Sequence, residues 1–169
     1  MAFTAQDVKK LREMTNVGMM DCKKALQACD GDMDKAVDWL REKGLAKAAK
    51  KADRIAAEGV AYATVVNGVG VVIEVNSETD FAAKTDAFMD LVKNLAEVVA
   101  TQNPADVDAL KACTYPNSNL TVTEIMQEKV MSIGENMVIR RFDRFAENTS
   151  VAYVHAGGTH GVLVNLAVE

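Results

Sequence analysis

Residues 60–75 decide the fold class of this chain, and they read VAYATVVNGVGVVIEV. β-Branched and aromatic residues fill both halves of the stretch, and Asn67-Gly68 separates the halves. This pattern is typical of two antiparallel strands joined by a two-residue turn. The sequence therefore predicts a β-hairpin at residues 60–75.

Helical periodicity, not strand alternation, precedes the hairpin. Thr4 and Asp7 have the spacing of a capping box, Asn16-Val17-Gly18 breaks the first helix, and Asp32 can cap a third. We expect Gly44 to end that third helix. The sequence thus predicts a three-helix bundle over residues 1–44, followed by an Ala/Lys-rich helical linker over residues 45–58.

Helical and strand patterns are mixed after the hairpin. Apolar residues recur at helical spacing over residues 81–100 and 123–132, and they alternate as in strands over residues 137–145, 151–155 and 161–168. Residues 161–166 weakly echo residues 70–75. The chain is therefore predicted to be α+β, with a small antiparallel sheet packed with helices over residues 59–169.

The composition excludes several classes of protein. The 169 residues are 49% apolar and 25% charged, as in ordinary globular chains, and no apolar run reaches the ~20 residues of a membrane helix. Residues 1–54 carry a net charge of +3 and the remainder −8, which is unlike a general nucleic-acid binder. Cys22, Cys29 and Cys113 form no CxxC pair, so we expect reduced thiols and a cytoplasmic location.

Signals of catalysis are weak. Four carboxylates fall between residues 74 and 86, and a hydrolase could use two of them. Because no nucleophile or phosphate-binding loop accompanies them, a solvated strand-to-helix turn is the simpler interpretation. His155 and His160 are the only histidines, which excludes a three-histidine metal site. We expect no enzyme activity, no metal and no resident cofactor.

Three segments are better candidates for binding a partner. Met19 and Met20 begin the second helix, where they either form an adaptable docking surface or one of them packs under the first helix. Phe81 follows a turn, and it either projects outward as a wedge or packs inward as a hydrophobic staple, with its spacing favouring the inward position. Residues 132–136, with Gly134 as a helix stop, indicate only a turn.

Taken together, these segments resemble the translation elongation factor Ts family. The matching motifs are Gly18-Met19-Met20-Asp21-Cys22-Lys23-Lys24-Ala25-Leu26, Thr79-Asp80-Phe81, Ile133-Gly134-Glu135-Asn136 and Arg140-Arg141. Their order and spacing match over essentially the whole chain. The resemblance implies a ubiquitin-associated-like helical bundle and a core that is the first half of a duplicated one, since longer bacterial members continue into a second core subdomain.

The resemblance also implies a function. Members of the family are guanine nucleotide exchange factors of elongation factor Tu, so we expect that GTPase as the partner and an action on the GDP and Mg²⁺ bound to it. The family's match to Phe81, with Asp80 beside it, inserts near the partner's Mg²⁺ side, and Phe81 should then point outward. Ile133, Gly134 and His155 match neighbouring contact positions. The bundle surface that grips a partner helix is matched by Arg12, Met19, Met20 and Lys23.

Two other functions remain open from the sequence. An adaptor that binds ubiquitin-like folds through the bundle would need nothing from Asp80 and Phe81. A small-molecule hydrolase would depend on Glu78 or Asp80. We expect no direct binding of nucleic acid and no membrane association, and the sequence leaves open whether the chain pairs with itself as a homodimer.

Overall fold

A computed structural model describes residues 3–167, in which helices and antiparallel strands are mixed. The elements in chain order are α1 (Ala5–Thr15), α2 (Met19–Ala28), α3 (Met33–Lys51), β1 (Glu58–Val66), β2 (Val69–Ser77), α4 (Asp80–Ala83), α5 (Asp86–Gln102), α6 (Val107–Ala112), α7 (Val122–Ile133), β3 (Met137–Phe145), β4 (Thr149–His155) and β5 (His160–Leu166). The predicted α+β class is confirmed. Within residues 3–167, no helix has the length and apolar character needed to cross a membrane.

The chain divides into two compact units. The first contains the residues up to Asp53 together with Gln127–Gly134, and the second contains Arg54–Met126 together with the residues from Glu135 onward. The last part of α7 therefore belongs with the N-terminal helices, which the sequence does not predict. The limits of 1–44 for the bundle, 45–58 for the linker and 59–169 for the core remain predictions.

Helices α1–α3 of the first unit surround a small apolar core. The amide of Asp7 donates to the Thr4 hydroxyl (3.3 Å) and the amide of Thr4 donates to the Asp7 carboxylate (2.7 Å), so the capping box is confirmed. Asn16 ends α1 in the left-handed conformation, and Asp32 caps α3 by accepting from the amide of Lys35. The core consists of Val8, Leu11, Val17, Cys22, Ala25, Leu26, Ala36 and Leu40.

Helix α3 is longer than predicted. The prediction that Gly44 ends it is wrong, because Gly44 is buried inside the helix, which continues to Lys51. A Cβ atom at position 44 would lie 3.5 Å from the sulfur of Met131, a residue of the same unit. That distance is an ordinary van der Waals contact, and the sequence around position 44 does not distinguish a glycine inside a helix from one that ends it.

The second unit is built on the hairpin of residues 60–75, which is confirmed. β1 and β2 pair in antiparallel register with Val66 opposite Val69. The turn residues Asn67 and Gly68 have φ values of 50° and 84°, as a type I′ turn requires. β3 pairs with the other edge of β2, which gives the order β1-β2-β3, and β4 and β5 form a separate two-stranded antiparallel sheet.

Two glycines mark where the sheets of the second unit approach each other. A Cβ atom at Gly161 in β5 would lie 2.8 Å from the carbonyl oxygen of Ala61 in β1, and one at Gly70 in β2 would meet the Ser150 side chain of β4. The echo between residues 70–75 and 161–166 thus begins, in both copies, with a glycine at which a side chain would have no room. β5 ends at Leu166, and the prediction that it reaches residue 168 extends outside the described residues.

The helix predicted over residues 81–100 is interrupted. α4 ends at Ala83 and α5 begins at Asp86. The hydroxyl of Thr85 donates to the carbonyl of Ala82 (2.8 Å) and accepts from the amide of Phe88 (3.3 Å), so Thr85 caps the second helix. α5 buries its apolar face in the core of the unit, whereas α4 remains as a separate single turn.

Candidate functional site

Phe81 lies on the single turn of α4 and points into solvent. Its side chain is 80% exposed, although Ala82 and Ala83, which follow it, are buried. The two alanines anchor α4, and helical geometry directs residue 81 away from the anchored face. The inward packing favoured by spacing is therefore wrong, and the outward direction implied by the family resemblance is observed. The role of the ring stays a prediction.

The turn before Phe81 is fixed by hydrogen bonds to Thr79. The Thr79 hydroxyl accepts from the amide of Ala82 (3.2 Å), which caps α4. The same hydroxyl donates to one oxygen of Glu135 (2.6 Å), and the Thr79 amide donates to the other (3.0 Å). The Ser77 hydroxyl donates to the Thr79 carbonyl (2.9 Å). Backbone and side chain of Thr79 are therefore both held, which restricts the position of Phe81.

Glu78 and Asn136 form a second connection between the same two segments. A carboxylate oxygen of Glu78 accepts from the backbone amide of Asn136 (2.6 Å). The Asn136 side-chain amide donates to the carbonyl of Arg54 (2.8 Å), and Asn136 is only 6% exposed. Each segment thus supplies a carboxylate that receives a backbone amide of the other, Glu135 for Thr79 and Glu78 for Asn136. We call these two contacts the reciprocal clamp.

The sequence gives little indication of the reciprocal clamp. Residues 132–136 predict only a turn, and Glu78 is one of several acidic residues near the end of a strand. The available signal is the coincidence of a carboxylate and a small polar residue in two distant turns, Glu78-Thr79 and Glu135-Asn136. Spacing cannot pair two turns, because their separation in space depends on how β2 and β3 align.

Asp80 places a negative charge beside Phe81. Its carboxylate lies 2.5 Å from the Lys84 ammonium, one helical turn further on, and its side chain is 49% exposed. The hydrogen bond from Lys84 is the main reason that the pKa of Asp80 is lowered from its ordinary value. Asp80 is therefore ionised at neutral pH and available at the surface.

A second exposed surface lies on the first unit, where Met14, Met19 and Met20 are 56%, 47% and 64% exposed. We call these three residues the methionine surface. Because Cys22 and Leu26 take the buried positions of α2, the two methionines that begin this helix are left at its exterior. The alternative in which Met19 or Met20 packs beneath α1 is therefore wrong. Met14, which lies near the end of α1, is an addition to the predicted set.

The residues predicted to bind the partner through the first unit also include two cationic ones, Arg12 and Lys23. Arg12 lies in the last turn of α1, and its carbonyl oxygen accepts the amide that ends this helix. Lys23 follows the first turn of α2. Both are exposed. A surface of thioethers with flanking cations fits an apolar partner element that also carries acidic groups.

Ile133 and Gly134 lie where α7 ends. Gly134 has a φ of 92°, and its carbonyl accepts a hydrogen bond from the Lys51 ammonium at the end of α3. Both residues belong to the first unit, whereas Asp80 and Phe81 belong to the second. Their membership of one common binding surface with Phe81 stays a prediction.

His155 ends β4 on an exposed face of the β4–β5 sheet. Its Nδ1 atom lies 2.8 Å from the Tyr153 hydroxyl, and its ring centre lies 6.1 Å from that of His160 on the paired strand. The other large side chains exposed on β4 and β5 are apolar or aromatic: Val151, Tyr153, Val162, Val164 and Leu166. His155 is thus accessible, and its role as a partner contact stays a prediction.

Three of the four acidic residues considered for hydrolysis, Glu74, Glu78 and Asp80, are held in ion pairs. Glu74 contacts Arg140 and Arg141 (3.5 and 2.8 Å), and Glu78 contacts Arg54 (3.5 Å). Among residues 3–167, no group of three or more His, Cys, Asp or Glu side chains is arranged to hold a metal ion. These contacts favour the structural interpretation of the carboxylates, as parts of a strand-to-helix turn.

Comparison with known proteins assigns the family. The family described as Elongation factor TS matches residues 78–169, a stretch that is more than half of the chain and includes Phe81, the reciprocal clamp and β3–β5. The chain belongs to the elongation factor Ts family. This membership confirms the resemblance found in the motifs.

Curated members of the elongation factor Ts family extend the match to the N-terminal helices. The chain is 51% identical to Elongation factor Ts of Trichlorobacter lovleyi over 174 aligned residues, which cover 100% of the chain and 56% of that protein. It is 48% identical to Elongation factor Ts of Magnetococcus marinus over 168 residues, covering 98% of the chain and 55% of that protein. The chain therefore spans about half the length of these curated relatives.

Proposed function

We propose that this chain is a guanine nucleotide exchange factor for the translational GTPase elongation factor Tu. In this role it promotes the release of GDP during protein synthesis by stabilising the nucleotide-free form of its partner. Membership of the elongation factor Ts family supports the proposal, as do the two exposed surfaces described above. The protein breaks no covalent bond in this reaction and needs no cofactor of its own.

The exposure of Phe81 carries the proposal. A ring that is 80% exposed on a turn fixed by four hydrogen bonds is ready to bind without reorganisation. Aromatic side chains gain much contact area for little loss of rotamer entropy, and a fixed turn reduces the ordering cost further. We propose that Phe81 inserts between partner helices near the Mg²⁺ and phosphate site, with Asp80 beside it.

Insertion of this kind would weaken nucleotide binding through linkage. A GTPase holds the phosphates and Mg²⁺ with groups whose positions are tightly constrained. A wedge that displaces one element lowers the affinity for GDP, and by reciprocity GDP lowers the affinity for the wedge by the same factor. The GDP and the Mg²⁺ thus belong to the partner, and this chain acts on them indirectly.

The first unit supplies a second contact in this proposal. Met19 and Met20 would pack on a helix of the partner near the guanine-base side, with Arg12 and Lys23 pairing with acidic groups around it. Thioether side chains are flexible and polarizable, so they fit a helix surface without a preformed pocket. Ile133, Gly134 and His155 are proposed to contact the partner as well.

A nucleotide-release assay tests the proposal directly. Elongation factor Tu loaded with a fluorescent GDP analogue is mixed with this chain in an excess of unlabelled GDP, and the loss of fluorescence is followed. We expect a release rate that rises with the concentration of the chain. In a pull-down, the complex should form without nucleotide and dissociate on addition of GDP. A release rate independent of the chain would contradict the proposed function.

A further inference from the structure

The first unit contains a concave site that the proposed function does not use. Its volume is about 300 Å³, and it is lined by Asp21, Lys24, Trp39, Lys43, Lys47 and Met131. All six residues belong to the first unit. We call this site the Trp39 pocket.

The floor of the Trp39 pocket is apolar and fixed. Trp39 and Met131 are partly buried and pack against the core of the first unit. Met131 of α7 also lies next to Gly44 on α3. Trp39 and Met131 thus place an aromatic ring next to a thioether in the lining of the pocket, where one large apolar side chain can bind.

The rim of the Trp39 pocket is cationic. Lys24 comes from α2, whereas Lys43 and Lys47 come from α3 one turn apart. The Lys43 ammonium lies 5.3 Å from the centre of the Trp39 ring, which is a cation–π contact. Lys47 is paired with Asp21 at 2.8 Å. Three lysines against one carboxylate leave an excess of two positive charges around the apolar floor.

We propose that the Trp39 pocket binds a short acidic peptide segment that carries one large apolar side chain. The apolar side chain would lie on Trp39 and Met131, and flanking carboxylates would pair with Lys24, Lys43 and Lys47. The volume stands at the lower limit of pockets for drug-sized molecules, about 300 Å³, so the pocket fits one side chain of a peptide better than a whole metabolite. Charge complementarity selects the acidic sequence around it.

The pocket matches single-stranded nucleic acid less well. Binding of single strands uses several aromatic platforms for successive bases along a basic groove. The Trp39 pocket has one aromatic ring, and Asp21 on its rim would repel a phosphate. The observations therefore favour a peptide over an oligonucleotide.

Trp39 provides the measurement, because it is the only tryptophan of the chain. The full chain is titrated with a synthetic peptide that has a central Leu flanked by Asp and Glu, and binding is followed by tryptophan fluorescence and by calorimetry. Two matched peptides test the chemistry: one has Asn and Gln in place of the acids, and the other has Ser in place of Leu. We expect the peptide with the central Leu and the acidic flanks to bind, and neither matched peptide to bind. The affinity of the acidic Leu peptide should fall as salt is added.

Variants of the rim test the location. Lys24→Gln and Lys43→Gln should each weaken peptide binding about two- to fivefold, the range expected for an exposed ion pair. Asp21→Asn removes the competing carboxylate and frees Lys47, so binding should become about two- to fivefold tighter. Lys50→Gln and Glu42→Gln are the charge-matched controls, since both residues are exposed on α3 and neither lines the pocket. Both controls should leave the affinity unchanged.

The proposal has definite ways to fail. It is overturned if the Leu peptide does not bind, or if the Ser peptide binds equally well, because the apolar floor would then have no part. It is also overturned if the controls change the affinity as much as the rim variants, or if a short oligo(dT) displaces the peptide and binds more tightly. Circular dichroism of each variant distinguishes loss of binding from loss of folding.

Discussion

The Phe81 turn and the methionine surface expose apolar side chains in different ways. Phe81 is a single stiff ring on a four-residue helix, held through Thr79 and the reciprocal clamp by hydrogen bonds. Met19 and Met20 are flexible side chains on a ten-residue helix, held by the apolar core beneath them. The Phe81 turn is rigid because its polar groups are hydrogen-bonded. The methionine surface is adaptable, because its side chains are flexible although the helix that carries them is packed on the core.

Because of this difference, we expect substitutions at the Phe81 turn and at the methionine surface to have different effects. A single aromatic ring that is already in position can supply a large part of the binding free energy, so its removal should weaken binding strongly. Thioethers share their contact area and can rearrange, so the loss of each should cost less. Support differs as well: a change in one distant carboxylate can loosen the Phe81 turn, whereas the methionine surface depends on the packing of the whole bundle.

The largest effect is expected for Phe81→Ala. Because the ring is 80% exposed, its removal should change the free energy of unfolding by less than about 0.5 kcal/mol. Loss of a central aromatic contact costs about 2 kcal/mol or more, which corresponds to about a 30-fold loss of stimulated GDP release. The fluorescent-GDP assay measures the second quantity and thermal unfolding the first.

Two variants serve as controls for this prediction. Phe81→Leu keeps an apolar group and should retain an intermediate rate. Val65→Ala removes partly exposed apolar atoms near the hairpin turn, at the other end of β1 from Glu58, and should leave release unchanged. Undiminished stimulation by Phe81→Ala would remove the wedge from the mechanism, while the release assay with the unchanged chain would still test the proposed function.

A large effect on stability is expected for Glu135→Ala. The substitution removes the acceptors of the Thr79 amide and hydroxyl, both in a partly buried environment. An unsatisfied polar group of this kind costs about 1–3 kcal/mol. The free energy of unfolding should fall by that amount, and the Thr79 amide should exchange its hydrogen faster.

Glu135→Ala changes the support of the Phe81 turn and leaves the Phe81 ring itself unchanged. Phe81 is still present, so a reduced rate of GDP release would show that positioning of the ring matters as well as its chemistry. Glu147→Ala is the control, since this carboxylate is exposed in the same unit. Unchanged exchange of the Thr79 amide would show that the turn does not depend on its contact with Glu135.

A smaller effect is expected when the methionine surface is truncated. Met19→Ala and Met20→Ala remove exposed side chains, so the fold should be retained. Each should weaken binding of nucleotide-free elongation factor Tu about two- to fivefold, as for a contact outside the energetic centre of an interface. The release rate at a saturating concentration of the chain should change little. A titration of the release rate against concentration separates the two quantities.

Local chemistry explains what could be predicted from the sequence. The Asn67-Gly68 hairpin and the Thr4–Asp7 capping box depend on residues within a few positions of one another, and both were predictable. The direction of Phe81 was not predictable from spacing, because the turn before it is held by Glu135, 56 positions after Thr79, and because Ala82 and Ala83, not Phe81, are the residues that become buried. Only the family resemblance indicated it.

Packing explains the other differences. The end of α7 joins the first unit, where Met131 lies next to Gly44 inside α3. No pattern within residues 33–51 distinguishes that glycine from one that ends a helix. The Trp39 pocket has the same origin, since its floor combines residues from α3 and α7 that lie far apart in sequence.

The smallest effect is expected in the titration of two aspartates that represent the two regions. The pKa of Asp80 is lowered mainly by the side chain of Lys84, and that of Asp7 mainly by the backbone amide of Thr4. A lowered pKa in the folded state contributes stability above the ordinary pKa of the group, and the contribution is lost as the pH falls through the folded value.

Added salt screens exposed ion pairs more than hydrogen bonds to the backbone, so it should raise the pKa of Asp80 more than that of Asp7. Lys84→Gln should likewise raise the pKa of Asp80, whereas Lys10→Gln should leave that of Asp7 nearly unchanged, because Lys10 is the weakest of its influences. NMR titration of the two carboxyl groups measures both values. An equal response of the two would mean that the first unit and the Phe81 turn do not differ in how they hold their charges.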